Sequence, residues 1–409
     1  MGIFRALEQC SALSAGVVLL VNMSIDRIQV NSALVVATFV AVLLLSSQSA
    51  ASMVTYLLCL AMLARVAEWN DVFRSPMIWP IVALLVYLPL SSFWSSPFEW
   101  RGLMSQLVRA ILTFTFVVAL AECQLRGKVQ AGLGQILGGS GALVALLTLI
   151  WFLVEPPADG RLHGLGQLET PVVAALVFGA TALFVVHGMF QSGRWETSAF
   201  GIVCLIPLCL AVALSDSRNA WVSLVFGGSV MVLAHLAQNR RHFLLWSVVI
   251  GGVLLGGLFA ASKLEGLSSD LFPRGDSYRP LIWGEIFKQV QDAPVFGLGI
   301  LTDDDVVAGP YRFAHPHNLY LSVLFQGGLF GLLLFLWLLL RTLREVWINY
   351  NHPDAKLALG TLALALPSYL LDGHELLDKV SDTWFLVWLP IALALGLRWH
   401  AGVRNTRLS

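Results

Sequence analysis

Charge is scarce in this chain. Only 12% of its 409 residues are Asp, Glu, Lys or Arg, and the two signs cancel, 25 against 25. With that balance nucleic acid is not an expected partner. Cysteine is sparse as well. Cys10, Cys59, Cys123, Cys204 and Cys209 all fall in apolar stretches, so they read as small core residues, not as a disulfide framework or a metal set. The sequence also lacks a phosphate-binding glycine loop, a dinucleotide fingerprint and any Ser/His/Asp set of recognisable spacing. Nucleotide-driven chemistry is therefore not expected. No internal repeat or low-complexity tract is evident.

What abounds is apolar sequence: 57% of residues are hydrophobic and the mean hydropathy is +0.77. No soluble domain hides that much apolar surface. Apolar segments fall at roughly 10–22, 28–46, 50–66, 77–93, 104–121, 132–153, 170–190, 197–214, 219–237, 243–262, 319–340, 356–371 and 382–398, many of them near the ~20 residues that cross a bilayer. The first is too short for a span. Two crossings within residues 1–66 give an all-α polytopic membrane bundle of about twelve helices with both ends on one side. The N-terminal run has no small-residue cleavage site and reads as retained.

If the segments alternate, Arg65, Arg74, Arg126, Lys128, Arg194, Arg240, Arg241, Arg341, Arg344 and the Arg-bearing tail share a face, which is the cytoplasmic one. Loops 94–103, 154–169, 215–218, 263–318 and 372–381 then face out. The chain thus divides into an N-terminal bundle (1–262), a long outer loop (263–318) and C-terminal helices with a tail (319–409). The long loop exceeds ordinary connections. Within it Ile282, Ile286 and Val290 recur at helical spacing, Pro280 suits a first turn and Pro294 ends the run. These features predict an amphipathic helical lid on the outer surface.

The stretch His315-Pro316-His317-Asn318 closes this polar loop and opens an apolar helix. Asn318 has the side chain of a helix cap, Pro316 keeps His315 extended, and Gly327-x-x-x-Gly331 allows close helix packing. A single interfacial His is ordinarily an anchor. A neutral imidazole at a helix N-terminus, beside an anion site, also suits a general base. Arg161, Arg218 and Arg279 share that face against the positive-inside bias. Arg218 sits in so short a loop that it must lie near membrane depth. Guanidinium is the group for forked recognition of phosphate, so the set reads as a diphosphate clamp beside a base. Asp303-Asp304-Asp305 with the two His is a weaker, metal-type constellation, because acidic triplets in long loops are usually just solvated.

At these residues the chain resembles the O-antigen ligase and polymerase family of the bacterial inner membrane. The family pattern of His, a small amide or hydroxyl residue, nine residues, Gly, two residues and Gly is met by His317, Asn318, Gly328 and Gly331. Ser217-Arg218-Asn219-Ala220-Trp221, Arg279-Pro-Leu-Ile-Trp283, Pro294-Val-Phe-Gly297-Leu-Gly299 and Gly160-Arg161-Leu-His-Gly164 resemble further family elements, and Asp372 matches an Asp in the last outer loop. Where relatives often carry Asn-Pro-Asn, this chain has Glu169-Thr170-Pro171-Val172, so no binding role is assigned there.

The resemblance implies an inverting glycosyltransferase needing neither metal nor cofactor. Its donor is an O-antigen on undecaprenyl diphosphate. Its acceptor is a sugar hydroxyl of the lipid A–core oligosaccharide, and membrane lipid surrounds it. His317 would take the hydroxyl proton while Arg218 and Arg279 hold the diphosphate. Arg161, His315, Asn318 and Asp372 would line or orient the substrates. A polymerase, or a ligase that glycosylates protein, would share the donor and the motifs. A lipid-linked glycan transporter is a more distant reading, for which matching repeats are wanting.

Overall fold

The computed structural model describes residues 52–53, 55–57, 73, 75–125, 130–192, 195–237, 278–308, 311–373 and 375–406. The apolar segments at 10–22, 28–46 and 243–262, most of 50–66, the first part of the long loop and His374 lie outside the described residues.

Apolar runs of the length predicted form helices α1 (Ile78–Leu90), α2 (Trp100–Leu125), α3 (Gln130–Val154), α4 (Pro171–Ser192), α5 (Trp195–Leu214) and α6 (Arg218–Leu236). After the long loop come α8 (Leu319–Ile348), α9 (Pro353–Ser368) and α10 (Leu389–Thr406). Among the described residues six helices, α2 to α6 and α8, are long and apolar enough to cross a membrane. The chain is a mostly helical membrane protein. In the long loop Arg279–Val290 forms helix α7 as its spacing predicts, with Pro280 in the first turn and Ile282, Ile286 and Val290 buried.

Two features depart from the all-helical expectation. Val306–Ala308 (β1) and Tyr311–Phe313 (β2) form a short antiparallel ribbon, with Val307 opposite Arg312. Four of its six residues, Val306, Val307, Tyr311 and Phe313, are β-branched or aromatic, which is strand rather than helix chemistry. The second departure is at Trp384–Trp388, where a single π-helical turn leads into α10.

The core lies around α10. Ile391, Ala392, Ala394 and Leu395 are fully enclosed, as is Trp388 just before them. This helix packs on α2, α8 and α9. A second seam joins α6 to α9, where a Cβ on Gly227 would stand 2.7 Å from the Gly360 carbonyl. Lipid offers no hydrophobic drive between helices, so such small residues let backbones approach.

The loops expected on one face meet at one end of the bundle. Leu162 N–H donates to the Leu214 carbonyl at 2.9 Å, and Leu319 N–H donates to the carbonyls of Tyr369 and Asp372 at 3.0 and 3.2 Å. Ser96 N–H reaches Thr302 Oγ1 at 3.0 Å.

One junction was not foreseen. Inside α8, Gly328 takes φ 61 and ψ −166, which breaks the helix. The turn at Pro294–Gly299 fills the break. Leu298 and Gly299 N–H donate to the carbonyls of Phe325 and Gln326, and Leu329 and Phe330 N–H donate to those of Pro294 and Val295, at 2.8 to 3.0 Å. The Tyr87 hydroxyl donates to the Gly327 carbonyl at 2.7 Å. Gly327 and Gly331 make the close approach their spacing predicts, with the Tyr87 ring as partner.

Candidate active site

The first turn of α8 builds the site. Asn318 caps it: its side-chain oxygen accepts from Leu321 N–H at 3.1 Å, and its amide donates to the Leu370 carbonyl at 3.0 Å. Both halves of this buried amide are thus used on backbone. His317, one residue before, has φ 50, a left-handed conformation that a side-chain-bearing residue keeps only where its surroundings impose it. Three ties do so. The His317 N–H donates to His315 Nδ1 at 3.3 Å, Trp283 Nε1 of α7 donates to the Pro316 carbonyl at 3.1 Å, and Asn318 is fixed as described.

His317 Nδ1 lies 3.4 Å from Asp372 Oδ1, with side-chain exposures of 35% and 16%. Burial alone would raise the Asp372 carboxyl. The hydrogen bond to His317, the Gly373 N–H and the nearby charge of His317 and His315 outweigh it, so the group lies below the ordinary carboxylate value. An ionised carboxylate only accepts, so this hydrogen bond places a proton on His317 Nδ1, and in the neutral form of the ring the lone pair is on Nε2. The His315 and His317 rings stand 4.0 Å apart, centre to centre.

A cavity of about 480 Å³ opens here. Its lining includes Arg161, Gln167, Arg279, His315, His317, Tyr369 and Asp372. Glu375, Asp378, Ser381, Asp382 and Thr383 add a polar, mostly acidic wall. Arg161 is aimed by its own hydrogen bonds: Nε donates to the Ser215 carbonyl at 2.9 Å and Nη2 to that of Asp216 at 3.4 Å. Arg279, in the first turn of α7, is half-buried, and its Nε is enclosed without a hydrogen-bond partner. Five of the seven residues singled out by sequence therefore share one cavity. Asn318 and Arg218 are outside its lining. Arg218 is exposed at the first position of α6, two residues past the Asp216 carbonyl that Arg161 grips.

The acidic wall is held by a residue that sequence reasoning passed over. Arg109, within α2, lies 3.4 Å from both Glu375 and Asp378. Its signal was present: a lone Arg in an apolar window needs a partner or a pathway. Burial raises the Glu375 carboxyl, Asp378 raises it further, and Arg109 only partly offsets them. Burial also pushes Asp382 up to about 6, against the hydrogen bond from Tyr369. The acidic triplet is divided. Asp305 accepts from Arg312 Nε at 2.6 Å, while burial and its acidic neighbours push Asp304 up to about 6.

The O-antigen ligase family model matches residues 202–336, which hold the Arg218, Arg279 and His317 elements. An O-antigen ligase of Pseudomonas aeruginosa is 29% identical over 327 residues, covering 79% of this chain and 78% of its own. A Rickettsia typhi protein assigned by name to the polysaccharide ligases is 26% identical, covering 70% and 75%. A chain from a solved peptidoglycan synthase complex overlaps 83% of this one and 99% of its own, at 18% identity and a TM-score of 0.41. Motifs, membrane helices and relatives agree: the chain is an enzyme similar to the O-antigen ligases, and the model of that family matches its residues 202–336.

Proposed function

We propose that the protein is an inverting, metal-independent glycosyltransferase of the bacterial inner membrane. It moves an O-antigen glycan from undecaprenyl diphosphate to a sugar hydroxyl of lipid A–core, at the periplasmic face. The observation that carries this reading is the one cavity joining a carboxylate-oriented imidazole to two guanidinium groups.

In this reading the acceptor hydroxyl gives its proton to His317 Nε2 as its oxygen attacks the anomeric carbon. The bond from that carbon to the diphosphate oxygen breaks, and its electron pair leaves with the diphosphate. Arg161 and Arg279 neutralise the charge that grows there. Asp372 stabilises the imidazolium that forms. Direct displacement inverts the anomeric centre, and release of the diphosphate drives transfer without nucleotide. Arg218, exposed near the Arg161 contact, serves at the rim in the capture of the donor. His315 holds the His317 backbone. The carboxylates and hydroxyls from Asp372 to Thr383 suit the acceptor sugar, whose hydroxyls are donors. The arginines supply the countercharge that a divalent metal would otherwise provide.

The test is reconstituted transfer in nanodiscs, from undecaprenyl-diphosphate glycan to rough lipopolysaccharide, with chelator and without nucleotide. The expected product is a slower-migrating lipopolysaccharide from wild type and none from His317→Ala. Lengthened lipid-linked glycan in its place would assign a polymerase. Full turnover by His317→Ala would remove the proposed base.

A further inference from the structure

The proton-transfer and diphosphate groups leave one polar side chain of the cavity unexplained. Among the described residues lining it, only Gln167 and Arg279 hold enclosed side-chain polar atoms with no hydrogen-bond partner. For Arg279 the orphan is Nε, which the diphosphate accounts for. For Gln167 both amide atoms, Oε1 and Nε2, are orphans. Folded proteins leave few such groups, and each one calls for a reason.

The loop that carries Gln167 is built, not slack. Leu162 and Leu168 are buried to 0% and 1% exposure on either side of it. Gly164 N–H donates to the Leu168 carbonyl at 2.8 Å, and Leu168 N–H donates to that of Leu165 at 3.1 Å, closing a tight turn around Gln167. His163 Nδ1 bonds the Glu169 carbonyl at 2.7 Å, and its Nε2 lies 3.1 Å from Asp159. The turn is thus pinned on both flanks, and it holds Gln167, with its enclosed and unpaired amide, in the lining of the cavity that contains His317.

We propose that Gln167 is a specificity-determining residue that reads a sugar ring at the reaction centre. This rests on the glycan-transfer reading above. A primary amide offers one acceptor and one donor side by side. Its complement is an adjacent donor–acceptor pair on a saccharide: two neighbouring hydroxyls, or a hydroxyl beside an acetamido group. The donor glycan and the acceptor oligosaccharide both carry such pairs, and the two are separable by experiment.

The test uses the full-length protein in nanodiscs, with Gln167→Met as an apolar variant of similar shape and Gln167→Glu as one that keeps only the acceptor half. Melting temperature is read without ligand, with undecaprenyl-diphosphate glycan alone and with rough lipopolysaccharide alone. Transfer kinetics are read alongside. The expected result is a ligand-free melting temperature for Gln167→Met at or above wild type, because an unsatisfied group has been removed. Stabilisation by one of the two ligands falls, and KM for that same ligand rises about tenfold while kcat stays within about twofold, as the loss of one or two neutral hydrogen bonds requires. Gln167→Glu falls between. Whichever ligand is affected identifies the sugar that is read. Unchanged stabilisation by both ligands overturns the proposal. So does a fall in kcat at constant KM, or a wild type that neither ligand stabilises. If both ligands stabilise the wild type but no glycan moves, glycan transfer fails as a reading while the thermal shifts still decide the role of Gln167.

Discussion

Gly328→Ala tests the link between the helix break and the site. At φ 61 and ψ −166 the backbone lies in a region essentially reserved for glycine, and a side chain there costs about 1–3 kcal/mol. The new Cβ would also fall on the Val295 carbonyl and the Gly297 N–H. Neither is a flexible side chain, so the Pro294–Gly299 turn must move. Four backbone hydrogen bonds join it to α8, each contributing about 1 kcal/mol net. Losing half of them brings the total to about 3–5 kcal/mol, a large share of a typical stability. That turn directly follows α7, which carries Arg279 and the Trp283 bond to Pro316, so KM for the donor should rise as well. Gly284→Ala, in α7 with nothing within 4 Å of the new Cβ, is the control. It should be neutral or gain up to about 1 kcal/mol in helix propensity. Thermal unfolding in nanodiscs and donor-dependent kinetics read both variants. If Gly328→Ala melts as high as Gly284→Ala with an unchanged KM, the break does not clamp the loop and the reasoning fails.

Three further outcomes are expected. Burial and the charges of Asp303 and Asp305 raise Asp304 to about 6 when folded, above its unfolded value. The folded state therefore holds the extra proton between about pH 4 and 6, and stability falls as pH rises through that window. Asp304→Asn should stabilise the protein by about 1–2 kcal/mol at pH 7.5 and not at pH 4, as melting curves at the two pH values will show. Arg109→Leu strands Glu375 and Asp378 without their cation. It should cost about 3–5 kcal/mol near neutral pH, and adding Asp378→Asn should recover part of that loss in the same denaturation assay. Arg279→Lys keeps the charge but cannot fork onto phosphate, so donor KM should rise about tenfold or more with the fold intact; an unchanged KM would remove Arg279 from the clamp.

Hydropathy and turn chemistry made much of this fold legible. Apolar runs near 20 residues gave the long helices, and the 282–286–290 spacing with Pro280 gave α7. Alternation gave the end at which the loops meet. Partnership was less legible. Arg109 and Glu375 are 266 positions apart, and an apolar window reveals that a helix exists but not which loop packs over it. The helix break stayed hidden because Gly327-Gly328 in a membrane helix is equally compatible with close packing and with a kink, and only the docked Pro294–Gly299 turn distinguishes them. For Arg218, sequence position gave the end of the bundle but not the lining of the cavity. Aim depends on side-chain direction at the first turn of α6, which spacing does not encode.

The same geometry explains why the polar cluster is affordable in so apolar a chain. An imidazole held at positive φ and a carboxylate near it, each on its own loop, would ordinarily be mobile. Here α8 begins by donating Leu319 N–H to the carbonyls of both Tyr369 and Asp372. The residue two before that N–H is His317, and one of the two acceptors is the backbone of Asp372 itself. The loop that presents the base and the loop that presents its orienting carboxylate are thus joined through backbone, one turn from the contact between their side chains. Asn318 repeats the tie through Leu370. A substitution at Asp372 that keeps its backbone, such as Asp372→Asn, should leave this junction standing while changing the proton arrangement on His317. It should therefore lower kcat by about 10²–10⁴, the range that proton transfer by a positioned group supplies, with little change in melting temperature at neutral pH. A large loss of stability with kcat preserved would mean that the carboxylate serves the fold and not the base.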